Sequence, residues 1–391
     1  MKTGFRFGRI PLILYRSGEI SELPSIIRRF GNNIALVTGR SSFIKSIQGE
    51  LLLNDLKTGG FRYKHIIVES EPSPRLIDHA VSECRNPEPD AVVAIGGGSV
   101  IDAGKAISAM LTVSLPVKAY LESIGTMEHP GEKIKFIAVP TTSGTGSEAT
   151  RNAVISETGP DGFKRSLRHD NFIPDVAVVD PELTMSCPPE LTASSGMDCF
   201  TQLTEAYLSD KSTKYTDALA LEAMGHIKSS LVRCFTNGLD LEARESMSFA
   251  ALTSGICLSN AGLGVVHGFA SSIGGRYNIP HGLICGTLMA AANELTVRAL
   301  RRDYAYFSAL RKYARLGKLF VGKGRRSDTY YIDGFIDYLY KLTADLKLKG
   351  LKEAGVNENE LKDICAATEC KNNPVKLGSE DLLEIITKRF I

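Results

Sequence analysis

The stretch Ala94-Ile-Gly-Gly-Gly-Ser-Val-Ile-Asp-Ala-Gly-Lys-Ala-Ile107 decides the fold. It runs from a short apolar strand straight into a helical pattern. Glycines at 96, 97 and 98 let the backbone approach a ligand closely, and Ser99 is placed to cap the helix. The amides of that helix's first turn then form an anion site suited to a pyrophosphate. Asp102, on the same first turn, favours the helix dipole. The segment is not a GxGxxG fingerprint, and a tight packing turn would use glycine in the same way.

Working outward, other apolar runs of strand length alternate with helical patterns. Ile34 to Thr38, His65 to Val68, Ala91 to Ile95, Lys135 to Val139 and Val176 to Val179 read as buried parallel strands. Helical patterns occupy Ser41 to Leu56, Pro74 to Arg85 and Ser99 to Met110. This alternation predicts a sheet built from βαβ units. A second polar loop, Pro140-Thr-Thr-Ser-Gly-Thr-Gly-Ser-Glu148, follows the fourth of these strands. Its hydroxyls and glycines suit phosphate and ribose, and a flexible surface loop would share that composition. Two such loops at the carboxyl ends of neighbouring strands favour a nucleotide crevice.

After Pro181 the pattern turns helical, over Asp198 to Ser209, Thr213 to Thr236, Leu239 to Ser259, Phe307 to Leu316, Ile332 to Leu346 and Glu380 to Phe390. The 391 residues exceed what one core usually supports. An α/β domain over residues 1–185 and a helical domain over residues 186–391 are therefore expected, divided in the proline-rich run near 181–189. Basic and acidic side chains number 46 and 44, a balance that argues against broad binding to nucleic acid or anionic membrane. The N-terminus, beginning Met1-Lys2-Thr3, is broken by charge before any signal-like run, and no stretch approaches a membrane span. Eight cysteines without a CxxC pair read as reduced thiols, and the expected location is cytoplasmic.

The chemistry points to a third region. His267 and His281 stand fourteen residues apart in a small-residue segment, with Asp198 upstream in Gly196-Met-Asp198. Imidazole is the commonest protein ligand for a divalent metal near neutral pH.

Taken in order, Gly96-Gly-Gly-Ser-Val-Ile-Asp102, Pro140 to Glu148, Val178-Val-Asp-Pro-Glu-Leu183, Gly196-Met-Asp198 and Gly264-Val-Val-His267 through Pro280-His-Gly282 resemble the iron-containing (group III) alcohol dehydrogenases over essentially the full length. The resemblance implies a Rossmann-like dinucleotide domain, a helical metal-binding domain and a homodimer. It also implies reversible hydride transfer between NAD(P)(H) and a small alcohol, aldehyde or ketone, with Fe2+ or Zn2+ as Lewis acid. By that resemblance Asp198, His267 and His281 are catalytic and hold the metal. The family's second ligand histidine is here Gln202, one helical turn after Asp198, whose carbonyl is expected to complete the metal shell as a poorer ligand than imidazole, and a further family histidine is Ser271. Cofactor contacts fall to Gly97, Gly98, Ser99, Asp102, Thr141, Thr142, Thr145, Leu183 and Lys164, the last near the diphosphate. Gly39 replaces an acidic residue that would bind the NAD ribose, and Arg40 or the neighbouring serines suit a 2′-phosphate, so the expected cofactor is NAD(P)(H), with preference for NADP or at least tolerance of it.

Rival readings keep the same cleft. A metal-independent reductase similar to maleylacetate reductases would use the histidines as hydrogen-bond donors. A cyclase of the dehydroquinate synthase group would use NAD transiently, and a nucleotide sensor would bind cofactor without turnover. Arg151, Arg276 and Tyr277 are read as structural rather than as an anion pocket.

Overall fold

Each of the five apolar runs becomes a strand of one parallel sheet, and a sixth strand near the N-terminus joins them. The computed structural model describes residues 4–159, 162–303 and 306–391. Met1, Lys2 and Thr3, where the N-terminal reading begins, lie outside the described residues. In chain order the first half runs β1 (Leu12–Tyr15), α1 (Leu23–Arg28), β2 (Asn33–Gly39), α2 (Ile47–Thr58), β3 (Arg62–Val68), α3 (Pro74–Cys84), β4 (Ala91–Gly96) and α4 (Gly98–Met110). It continues with β5 (Lys135–Pro140), β6 (Asn152–Glu157), β7 (Phe163–Arg168) and β8 (Val176–Val179).

The sheet order is β1-β8-β5-β4-β2-β3, all parallel. Winding therefore reverses between β2 and β4. In an open α/β sheet that reversal opens a crevice at the carboxyl ends of the strands. Alternation along each strand feeds two cores. Ala35, Val37, Val92, Ala94, Phe136 and Ala138 face the core that α3 and α4 cover. Ile34, Leu36, Val93, Ile95, Ile137 and Val139 face the one under α1 and α2. Strands apolar on both faces need this double cover.

Several helix boundaries differ from expectation for local reasons. Helix α2 starts at Ile47 rather than Ser41, because Ser46 adopts an extended backbone and accepts the Gly49 amide at 3.1 Å. The cap of α4 is Gly97, which offers no side chain; Ser99 sits inside the first turn and its hydroxyl lies 3.4 Å from Glu71 Oε1. Asp102 does not serve the helix dipole, for its carboxylate accepts the Ser147 hydroxyl and, at 2.9 Å, the Val154 amide. The β6–β7 hairpin, antiparallel and not anticipated, packs between α4 and the second half of the molecule.

Among the described residues no strand follows β8. The helices are α5 (Pro189–Leu208), α6 (Lys214–Thr236), α7 (Leu241–Ala261), α8 (Val265–Arg276), α9 (His281–Leu300), α10 (Phe307–Phe320), α11 (Asp328–Asp345), α12 (Leu361–Ala366) and α13 (Ser379–Thr387). Helix α5 begins nine residues before the expected Asp198, since proline is well suited to a first turn. A capping box at Thr213 and Thr216 starts α6, and Asp240 caps α7. The small-residue segment holding both histidines, for which no element was expected, folds as α8 and the start of α9. Contrary to expectation, α9 is long and apolar enough to cross a membrane, but 83% of its apolar window is buried in the helical core.

The two halves touch where β5's loop meets α7. A β-carbon at Gly255 would collide with the Gly146 carbonyl, and Gly146 itself has a φ of 61°. Gly255→Ala should cost about 1–3 kcal/mol through overpacking. It is expected to lower the thermal unfolding midpoint and to weaken cofactor binding by shifting the loop. An unchanged midpoint would show that α7 gives way freely.

Candidate active site

The carboxyl ends of β4 and β5 and the N-terminal turns of α8 and α9 face one cleft of about 1400 Å³. Its helical wall starts from α5, whose Asp198, Gln202 and Glu205 share one face at spacings of four and three. All three are buried, at 1%, 2% and 7% exposure, which no ionisable pair tolerates without partners.

Those partners are specific. Glu205 Oε2 lies 2.6 Å from His267 Nδ1, and its Oε1 accepts the Val266 amide at 2.7 Å. One carboxylate thus satisfies the open N-terminus of α8 and fixes the His267 ring. The ring's other nitrogen, Nε2, lies 3.3 Å from Asp198 Oδ1. His281 Nε2 approaches the same oxygen at 3.8 Å, while its Nδ1 is buried without a partner.

Cys285, one turn along α9 from His281, puts its Sγ 3.7 Å from Nε2 of each histidine. Donor atoms of Asp198, His267, His281 and Cys285 all lie within 4.8 Å of one another. Such a set of carboxylate, imidazole and thiol groups could hold a divalent cation. Gln202 stands beside it, donating Nε2 to Asp198 Oδ2 at 3.3 Å and accepting the Ser254 hydroxyl at 3.0 Å.

Burial works against charge here, and the neighbours decide each case. It raises Asp198, but His281 and His267 outweigh it and bring the carboxyl to about 2. Burial disfavours the His267 cation too, yet the Glu205 and Asp198 carboxylates on its two nitrogens hold that imidazole well above its ordinary value. His281 falls to about 4, because burial, with Lys164 and His267, outweighs Asp198. Burial pushes the Cys285 thiol up to about 12.

The opposite wall carries the residues expected for cofactor. Gly97, Gly98, Ser99, Asp102, Thr141, Thr142, Thr145, Lys164 and Leu183 all line the cleft. Gly98 is where the two loops meet, for a β-carbon there would stand 2.6 Å from Thr145 Cγ2. Gly39 and Arg40 are not among the lining residues. Gly39 ends β2, and Arg40 points outward to Glu69 at 3.6 Å. Ser42, two residues on, does line the cleft. Glu71, which the sequence left without a role, pairs with Lys164 at 3.2 Å beside the N-terminus of α4.

Arg151 pairs with Asp170 and the Tyr277 hydroxyl accepts the Asn357 amide, both outside the cleft lining, whereas Arg276, paired with Glu360 at 3.5 Å, lines the cleft. Three residues were missed. Glu205 and Cys285 are legible in hindsight from helical spacing to Asp198 and His281. Lys371 is not: it lies 100 residues from Ser271, whose Oγ its Nζ reaches at 3.3 Å while donating to the His267 carbonyl at 3.0 Å.

Comparison with known proteins identifies the family of the chain. Residues 11–181 match the family described as iron-containing alcohol dehydrogenase, and residues 192–390 match the Fe-containing alcohol dehydrogenase family, C-terminal. An NADPH-dependent butanol dehydrogenase of Clostridium saccharobutylicum is 33% identical over 389 residues, covering 95% of each chain. An NAD-dependent methanol dehydrogenase of Bacillus methanolicus is 28% identical, covering 96% of this chain and 97% of its own. The solved alcohol dehydrogenase of Oenococcus oeni superposes with a TM-score of 0.87 at 28% identity, covering 99% of this chain and 100% of its own.

The N-terminus of α4, where the sequence places an anion site, faces the Glu71 carboxylate, and Lys164 is held by that same group. Glu71→Gln should therefore tighten NADPH binding roughly two- to fivefold, the scale of a partly screened charge pair. Fluorescence titration of the cofactor checks this; weaker binding would mean that Glu71 itself holds the cofactor.

Proposed function

The chain belongs to the iron-containing alcohol dehydrogenase family, and from that premise we propose that it transfers hydride reversibly between NADP(H) and a small alcohol, aldehyde or ketone. The observation that carries the reading is the meeting, in one cleft, of the sheet's switch-point crevice with the Asp198/His267/His281/Cys285 cluster. A nicotinamide gives or takes the hydride when bound. The donor set fits a divalent cation, since carboxylate, imidazole and thiol donor atoms lie within 4.8 Å of one another. Asp198, His267 and His281 would hold such a cation, which would supply Lewis-acid chemistry at the substrate oxygen.

The chain's own residues do the rest. Glu205 fixes His267 in one ring orientation, and Gln202 holds Asp198 by its second oxygen, which supports a role for Gln202 beside the metal. Gly97, Gly98 and Ser99 offer the first-turn amides of α4 to phosphate, and Thr141, Thr142 and Thr145 face them. Leu183 supplies apolar surface in the same cleft, and Asp102 braces the loop through Ser147. Burial of Asp198 and His267 keeps bulk water from their donor atoms. With serine at 271, the ionisable group beside that position is Lys371.

NADP preference is supported by Gly39, which leaves the end of β2 uncharged, and by the NADPH dependence of the butanol dehydrogenase relative; Arg40 would have to leave Glu69 and turn inward to meet a 2′-phosphate. The domain division at residue 185 follows the change from sheet to helices between β8 and α5. A cytoplasmic homodimer without nucleic-acid or membrane partner completes the reading, on family resemblance and the chain's balanced charge. A metal-independent reductase of the maleylacetate type is not favoured, because the butanol and methanol dehydrogenase relatives are alcohol dehydrogenases.

His267→Ala is expected to lower aldehyde reduction by more than roughly 100-fold, the several kcal/mol a Lewis acid supplies, while NADPH binding stays within about twofold. A rate retained within a few fold would remove His267 from the mechanism. NADPH should exceed NADH in kcat/KM by roughly tenfold, and Arg40→Ala should erase most of that ratio, since one charge-assisted contact contributes on this scale. Equal or better use of NADH would contradict the assignment of Gly39 and Arg40.

A further inference from the structure

We propose that Cys285 is a ligand of the metal in this protein, taking over the share of coordination that Gln202 cannot supply, and that it makes the site thiophilic, favouring zinc over iron. The inference rests on the functional reading above only in placing a metal at this cluster.

Geometry makes the case. His281 opens α9, and Cys285 follows one turn later on the same face, as Gln202 follows Asp198 on α5. Gln202 has its carbonyl oxygen engaged by Ser254 and its amide nitrogen turned to Asp198. An amide nitrogen is no ligand, so position 202 contributes none as it stands. Sγ of Cys285, by contrast, sits 3.7 Å from Nε2 of both histidines, with every donor pair in the set closer than 4.8 Å. Two ligands that share one cation at 2.0–2.3 Å are about 3.3–3.8 Å apart in tetrahedral geometry. The four side chains therefore come close to a ligand cage with little movement.

The substitution has a chemical consequence. A thiol that binds a divalent cation does so as thiolate, giving its proton to solvent. With Asp198 also ionised, the two negative charges match the cation, whereas a carboxylate with three imidazoles would leave one positive charge. Thiolate is a soft ligand that selects zinc, and carboxylate with imidazole alone does so less sharply. Substrate oxygen would enter as a fifth ligand, an expansion that catalytic zinc sites allow. Cys285 is buried, so it is shielded from other reactions of an exposed thiol.

The test is spectroscopic and independent of turnover. Full-length protein, stripped of metal and reconstituted with cobalt(II), is expected to show an intense near-ultraviolet thiolate-to-cobalt charge-transfer band. Cys285→Ser should lose that band while keeping the weak visible bands of cobalt held by Asp198, His267 and His281. Zinc affinity should fall in that variant by at least the roughly 10- to 100-fold that loss of a supporting partner costs. Wild-type protein that binds cobalt without the band, or a band that survives in Cys285→Ser, would overturn the proposal, as would no cobalt bound at all. Should Cys285→Ser not fold, the wild-type spectrum and the zinc affinity of Cys285→Ala decide. Dehydrogenase activity with no thiolate band sinks the ligand assignment alone; a thiolate band with no activity toward any alcohol sinks the functional reading and leaves this one standing.

Discussion

The contact between Glu205 and the start of α8 is the constraint on which the site depends. A helix that begins at Gly264 has no side-chain cap of its own. Its first-turn amide at Val266 must find an acceptor in a buried setting, and Glu205 supplies one from a neighbouring helix. Because the same carboxylate takes Nδ1 of His267, helix capping and ring orientation are a single interaction. Nε2 of His267 is left facing Asp198, and α9 then adds His281 and Cys285 to the cluster. Charge inside the core is tolerated because every ionised group there has an opposite or hydrogen-bonding partner.

The cofactor side is held by a different device. Lys105, buried in α4, donates to the Ser147 and Asn152 carbonyls at 2.8 Å and to the Thr150 hydroxyl at 2.8 Å. Asp102 takes the Ser147 hydroxyl from the same helix. The loop after β5 is thus fastened to the helix whose N-terminus faces the cleft, and it touches α7 through Gly146 and Gly255. Sheet, loop and helical half form one continuous path between the phosphate end and the histidine cluster.

Much of this was legible because it is local. Continuous apolar runs bounded by glycine or proline marked β2, β4, β5 and β8, and the glycine run at 96–98 marked the entry to α4. Boundaries failed where capping competes with pattern, as at Ser46 and at Gly97 against Ser99. The β6–β7 hairpin escaped notice because Phe163 to Arg168 is largely polar and packs by position rather than by hydrophobicity. Helix α8 escaped because glycine and serine dilute its periodicity, although Glu205 and the surrounding core impose the helix, and α9 because it is apolar nearly all round and shows no polar face. Lys371 could not be found at all, since only the fold brings it to Ser271.

The ligand set shows the same limit more sharply. Asp198, His267 and His281 follow a pattern that can be read along the chain, and the gap at Gln202 is equally visible. Cys285 fills space next to them only once α9 is known to start at His281. What most directly tests the reading of this cleft is NADPH-dependent reduction of a short aldehyde by protein stripped of metal, before and after return of zinc(II) or iron(II). Activity lost on stripping and restored by the cation is the expected outcome. A rate that chelation leaves unchanged would contradict it, and would make His267 and His281 hydrogen-bond donors in a reductase that needs no metal.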